Sequence, residues 1–95
     1  MSAVAVINQR KFSEGYIFEM IFYYISEEKD NKAERYQWVL IYKNQRYSLD
    51  FIAGKDGKRD LHCNNIGSVK LDLAENTLKI NDISYELEDW SRSEN

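Results

Sequence analysis

The side chains best suited to nucleophilic or metal chemistry are the single histidine and the single cysteine, His62 and Cys63, which are adjacent in the chain. Neighbouring side chains of a strand point to opposite faces, so these two cannot form a thiolate–imidazole pair. A zinc site needs further histidine or cysteine ligands, and the sequence contains none. We therefore predict no catalytic residues, no metal site and no cofactor.

A segment that is rich in glycine and basic residues begins at Gly54 and continues past Asp60. Its composition is that of a phosphate-binding loop, but it lacks the GxxxxGK(S/T) spacing, and its acidic residues do not follow the spacing of a calcium loop. We predict that residues 54–67 form a solvated connection between two strands. Only the length of this connection favours a binding role.

Nucleic-acid binding and hydrolysis have weaker support. Basic residues lie among tyrosines that could stack on bases, but a net charge of −3 opposes contact with phosphates. Sixteen acidic residues make some pair of carboxylates inevitable, so such a pair does not identify a glycosidase site. We expect a protein that is not an enzyme. The basic residues in question are Lys43, Arg46, Lys55, Lys58 and Arg59.

Short β-strands joined by tight turns must position these residues. Asparagine marks several turns, because it tolerates the positive φ that two-residue hairpin turns require. The apolar residues on either side of each turn should then face each other on one side of the sheet. The predicted pairs are Tyr42 with Tyr47, Leu73 with Leu78, and Ile80 with Ile83.

Alternation with a period of two identifies the inward positions of the strands. The pattern predicts an all-β fold: a small antiparallel meander of six or seven strands that forms a barrel or a curled sheet. The predicted inward residues are Trp38, Leu40, Tyr42, Tyr47, Leu49, Phe51, Val69, Leu71, Leu73, Leu78, Ile80, Ile83, Tyr85 and Leu87.

Residues 16–25 allow two interpretations. As a strand they are apolar on both faces, and their aromatic and β-branched content favours this interpretation. As a helix they would present an apolar stripe, which gives the alternative fold: an α+β protein with residues 16–25 as a helix on an antiparallel sheet.

The first strands also carry apolar residues at outward positions, which something must cover. We expect residues 3–12 or the 27–36 segment to fold across this second apolar face, with a partner protein or a second copy of the chain as the alternative. The outward residues are Ile17, Ile21, Tyr23, Val39, Ile41 and Ile52.

Length and composition predict one domain over residues 1–95, with residues 89–95 as a polar C-terminal tail. The lone cysteine excludes an internal disulfide framework, as expected in a reducing cytosol. The N-terminus lacks a basic leader, and no apolar stretch is long enough to span a bilayer. These features predict a cytoplasmic protein.

Small size, acidity and the lack of catalytic groups favour a binding protein. Residues 71–95 hold seven acidic and two basic side chains, and such a surface can steer a basic partner. We predict an immunity, antitoxin or phage-type inhibitor that blocks a basic enzyme such as a nuclease. A small-ligand-binding barrel and a nucleic-acid-binding module are the alternatives, and a homodimer is compatible with either. The predicted partner-binding residues are Glu19, Tyr23, Glu27, Glu28, Asp30 and Asp50.

Overall fold

The computed structural model describes residues 3–25 and 35–94, with side chains for residues 5–24 and 35–88. These residues form a closed barrel of antiparallel strands in chain order, in which the last strand pairs with the first. The strands are β1 (Ala3–Phe12), β2 (Ile17–Ile25), β3 (Arg35–Tyr42), β4 (Gln45–Lys55), β5 (Lys58–Cys63), β6 (Gly67–Asp72), β7 (Thr77–Ile80) and β8 (Ile83–Glu94).

The all-β barrel prediction is confirmed, with eight strands instead of six or seven. The alternative with a helix over residues 16–25 is wrong, because this segment forms β2 and pairs with strands on both sides. Within the described ranges, the one helical element is the 3-10 turn Ser13–Gly15. No helix in the described part of the chain is long and apolar enough to cross a membrane.

The predicted hairpin registers are partly correct. Ile80 does lie opposite Ile83, across a turn in which Asn81 has a φ of 55°. The first hairpin turns at Lys43 and Asn44, so that Tyr42 pairs with Gln45 and not with Tyr47. Both turn residues have positive φ, which matches the twist of the flanking strands.

The predicted hairpin of Leu73 with Leu78 is offset in the same manner. Leu78 pairs with Leu71, and Leu73 belongs to the connection between β6 and β7. The Asp72 carboxylate accepts hydrogen bonds from the N–H groups of Ala74 and Glu75, both at 3.0 Å. This side chain therefore starts the turn before Leu73 can join the ladder.

The predicted connection over residues 54–67 is mostly strand. β4 continues to Lys55, turns at Asp56 and Gly57, and returns as β5. Asp56 and Gly57 have φ values of 51° and 81°, as in the Asp-Gly turns that join antiparallel strands. Only residues 64–66 remain as a turn before β6.

Residues 89–94 are also strand and not a tail. They continue β8 and pair with β1, from Lys11 opposite Asp89 to Val6 opposite Glu94. Apart from Trp90 these residues are polar in sequence, but the ladder is made by backbone groups, and this pairing removes the free edge that β1 would otherwise expose. Residues 3–12 are thus part of the barrel wall and do not fold across it.

The barrel interior is a solid apolar core. The most deeply buried side chains come from six of the strands, and Cys63 adds a free thiol. Two predicted inward residues are exceptions: Phe51 and Ile83 are 48% and 60% exposed, because they lie near opposite ends of the barrel. Phe12, Phe18, Leu40, Leu61, Val69, Leu71 and Leu78 have less than 2% of their surface exposed.

The two barrel ends differ. At the end formed by the turns at Ser13–Gly15, residues 43–44, 64–66 and 81–82, Tyr16 stacks on Tyr42 with ring centroids 4.2 Å apart and contacts Tyr85 at 4.7 Å. The pKa of Tyr16 is raised to about 12, mainly by burial and secondly by the neighbouring Tyr85 side chain. The opposite end, formed by the turns at residues 56–57 and 73–76, carries the candidate site.

Candidate functional site

A cavity of about 450 Å3 opens at this second end of the barrel. β2 and β3 supply paired residues to it, because Met20 lies opposite Trp38 and Phe22 lies opposite Tyr36. Opposite residues of an antiparallel pair point to the same face, so all four side chains face inward. We call this site the aromatic mouth; its lining is Met20, Phe22, Tyr36, Trp38, Phe51, Gly54, Arg59 and Leu73.

The aromatic rings of the mouth form a continuous row. Phe22 meets Tyr36 edge-on at 5.5 Å, Tyr36 lies nearly parallel to Trp38 at 6.1 Å, and Trp38 stacks on Phe51 at 5.2 Å. Tyr36 is 51% exposed and Phe51 is 48% exposed, so the row offers ring faces to solvent. Such rings can stack on a planar guest.

A β-bulge and a glycine make room for the outermost ring. The register of β4 against β5 shifts between Phe51 and Ala53, and Gly54 then lies opposite Arg59. A Cβ at Gly54 would lie 3.0 Å from Phe51 Cζ and 3.1 Å from the Lys58 carbonyl oxygen. The glycine is therefore needed for the Phe51 ring to lie where it does.

Arg59 gives the mouth its one formal charge among the lining residues. It lies opposite the core residue Leu71, which places it on the inner face of β5. In the described part of the chain its guanidinium makes one hydrogen bond, from Nη1 to the Lys58 carbonyl at 3.2 Å, and no salt bridge. None of the lining residues that the structure describes is acidic.

A second arginine lies on the inner face at the same end. Arg10 pairs with Phe18 of β2, and its Nη1 donates a 2.7 Å hydrogen bond to Asn76 Oδ1 in the 73–76 turn. Its Nε is buried and lacks a hydrogen-bond partner. Burial lowers the pKa of the Arg10 guanidinium, which is the expected cost of placing a charge away from water.

Glu19, predicted to bind a partner, is buried and paired within the barrel. It is 3% exposed on the outer face of β2, where it forms an ion pair with Arg46 and accepts a 2.8 Å hydrogen bond from Gln9 Nε2. Burying an unpaired carboxylate is unfavourable, and these contacts from β1 and β4 to Glu19 on β2 offset that penalty.

Of the other predicted partner residues, the structure describes Tyr23 and Asp50. The Tyr23 hydroxyl donates to Gln37 Oε1 at 3.1 Å, and the Arg35 guanidinium lies 4.5 Å from the Tyr23 ring centroid. Asp50 is exposed on β4, whereas Glu27, Glu28 and Asp30 lie outside the described residues. Of the outward apolar residues, Ile21 and Val39 are buried, and Ile52 is exposed.

His62 and Cys63 lie on opposite faces of β5, as the strand geometry predicts. Cys63 faces the core, and His62 lies between Asp50 and Ser68 in the ladder. Among the described residues, no group of three or more potential ligands is placed to hold a metal ion.

Sequence reasoning identified part of the mouth and missed its charge. Trp38, Phe51 and Leu73 were predicted to face inward, but Arg59 was assigned to a connection. The Asp56–Gly57 dipeptide was the signal that could have placed Arg59 in a strand, because Asp-Gly is a strong hairpin signal.

No protein-family model matches this chain, and neither the curated proteins nor the solved structures include a significant match to it. Function must therefore be inferred from the geometry of the site itself.

Proposed function

We propose that this protein is a non-catalytic binding protein that holds a small planar organic molecule in the aromatic mouth. The observation that carries the proposal is the row of stacked rings Tyr36, Trp38 and Phe51, which lines the cavity with two half-exposed faces. Aromatic rings contribute large apolar area and favour offset stacking on other rings. A planar guest would extend this row.

The size of the site suits a small ligand. A cavity of about 450 Å3 falls within the usual range of ligand pockets, roughly 300–1,000 Å3. Below the mouth the interior is filled, since Phe18 and Leu40 are fully buried. The ligand would therefore bind at the end of the barrel and would not enter a central channel.

The lining also supports the non-catalytic part of the proposal. Among the lining residues that the structure describes, Arg59 and Tyr36 are the ionisable ones, and neither has a partner acid or base there. We retain the cytoplasm as the proposed location, because Cys63 is a free thiol buried in the core.

Calorimetric titration with a neutral planar probe, 2-naphthamide, tests the proposal. Tyr36→Ala and Phe51→Ala each remove one ring of the row and should weaken binding about tenfold, the effect of losing one aromatic contact. Ile83→Ala is the matched control, because Ile83 is a similarly exposed apolar residue at the other end. Equal affinities of all variants, or no binding by the wild type, would contradict the proposal.

Inhibition of a basic enzyme is a second candidate function, and one observation favours it. Asp50 is exposed on β4 close to the exposed side chains of Phe51 and Ile52, so an acid borders an apolar surface. Aromatic anchors beside steering charges are typical of protein interfaces. Asp50→Lys and Ile52→Ala should then weaken association with a purified basic nuclease. Neither substitution should affect 2-naphthamide binding.

A further inference from the structure

We propose that the natural ligand of the aromatic mouth is an organic anion, a planar aromatic acid whose acidic group is bound by Arg59. This inference rests on the proposed function and specifies the chemistry of its ligand. It follows from the charge of the mouth and from the hydrogen bonds that its arginines do not make.

Arg59 has unused donor capacity. A guanidinium carries five N–H donors, and one of them makes a long contact with the adjacent Lys58 carbonyl in the described structure. The planar arrangement of these donors matches a carboxylate or a phosphate in a bidentate pair. Because Arg59 lines the same cavity as Trp38 and Phe51, one molecule can contact the rings and the guanidinium together.

The nearby acids do not compete for Arg59 from within the mouth. Lys58 and Asp60, its neighbours on β5, alternate to the outer face, where Lys58 lies opposite Asp72 and Asp60 lies opposite Lys70. Among the described lining residues, an anionic ligand would therefore find one positive and no negative side chain.

Arg10 reinforces this preference. Its guanidinium lies on the inner face of the barrel, with no salt bridge among the described residues and with a buried, unpartnered Nε. It contacts Asn76 in the same turn that supplies Leu73 to the mouth. The Arg10 guanidinium is partly buried, and a bound anion nearby would supply a negative charge that the described residues do not give it.

A single-stranded nucleic acid also combines aromatic rings with anionic groups. The geometry favours the small acid, because the site is a cavity at one barrel end with one lining charge, whereas nucleic-acid sites follow the backbone with a series of positive groups. The net charge of −3 further opposes polyanion binding.

The test compares 2-naphthoate with its neutral isostere 2-naphthamide by calorimetry on the full-length chain. The wild type should bind the acid at least about tenfold more tightly, because a charge-assisted pair is much stronger than a neutral hydrogen bond. Arg59→Gln should bring the ratio of the naphthoate and naphthamide affinities close to one, with the larger loss of affinity falling on 2-naphthoate. Lys58→Gln is the control, because it changes the net charge equally but alters the outer face. Near-ultraviolet circular dichroism verifies that the variants fold.

Each outcome has one meaning. If neither probe binds, the proposed function itself fails. If both bind equally well, the mouth binds planar molecules and the inference of an anion is wrong. If Lys58→Gln reduces the preference for 2-naphthoate as much as Arg59→Gln does, the ligand is selected by the overall electrostatic field and not by Arg59. This result also overturns the inference. If a short oligothymidylate binds more tightly than 2-naphthoate, the ligand is a nucleic acid and not a small acid, and the inference is wrong.

Discussion

At the scale of single residues, the polar groups that matter are those held away from water. Glu19 on the outer face has an ion pair and an amide donor, whereas Arg10 on the inner face has one amide acceptor and an unpartnered Nε. A satisfied buried charge serves structure, and an incompletely satisfied one is typical of a ligand site. Glu19 therefore has a structural role in this barrel, and its partner-binding role stays a prediction.

Glu19→Gln should lower the free energy of unfolding by about 1 kcal/mol. The variant keeps the size of the side chain but turns the ion pair with Arg46 into a hydrogen bond between a cation and a neutral amide. Because Arg46 is half exposed, water limits the loss. Urea denaturation measures the change, with the exposed Glu86→Gln as control. An unchanged midpoint for Glu19→Gln would show that the ion pair contributes nothing to stability.

The raised pKa of Tyr16 predicts that the protein loses stability at alkaline pH. Its pKa is raised from 10.0 in the unfolded chain to about 12 in the barrel, because burial disfavours the phenolate. The folded state thus holds a proton that the unfolded state releases between these values, so stability is full below pH 10 and falls as pH rises towards 12. In Tyr16→Phe this fall should be smaller, as urea denaturation between pH 9 and 12 would show. Identical pH profiles would contradict the prediction.

At the scale of elements, the β4–β5 hairpin makes the mouth. Its Asp56–Gly57 turn sends β5 back along β4, its bulge shifts the register after Phe51, and Gly54 leaves space beside the ring. Arg59 enters the barrel interior only because this register places it opposite Gly54 and Leu71. The binding residues are therefore supported by a strand pair and not by a loop.

Gly54→Ala should weaken 2-naphthamide binding with little loss of stability. The new methyl group would lie 3.0 Å from Phe51 Cζ, so the Phe51 ring must move away from Trp38. Calorimetry should show about a tenfold loss of affinity, as for removal of the ring itself. Ala53→Ser, on the opposite face of β4, should bind as the wild type does. An unaffected Gly54→Ala variant would show that the position of the Phe51 ring does not limit binding.

The strands in which apolar and polar residues alternate regularly could be predicted from the sequence. Strands made mostly of polar residues could not. Leu40, Leu49 and Leu71 are buried as expected, because alternation and turn position agree in their strands. β5 was missed because its outward residues are charged and only Leu61 and Cys63 are apolar in its inner row. Hairpin registers were offset because Asp72 and the Lys43–Asn44 pair determine where the chain turns.

At the scale of the whole molecule, closure determines the fold and the asymmetry of its ends. β1 and β8 pair although almost the full length of the chain separates them, and no local sequence pattern could predict that pairing. Once the wall is closed, the core fills the middle, three tyrosines pack at one end, and aromatic rings with Arg59 line the other. A filled barrel with one open aromatic end is suited to binding a ligand at that end.

The most direct test of a ligand site at this end is an amide NMR titration of the labelled protein with 2-naphthoate. We expect chemical-shift changes at Gly54, Arg59 and Trp38, which line the mouth, and unchanged signals for Gly67 and Ile83 near the opposite end. Saturating changes confined to the mouth would agree with the proposed site. No change at saturating concentrations of 2-naphthoate, or changes centred on Gly67 and Ile83, would contradict it.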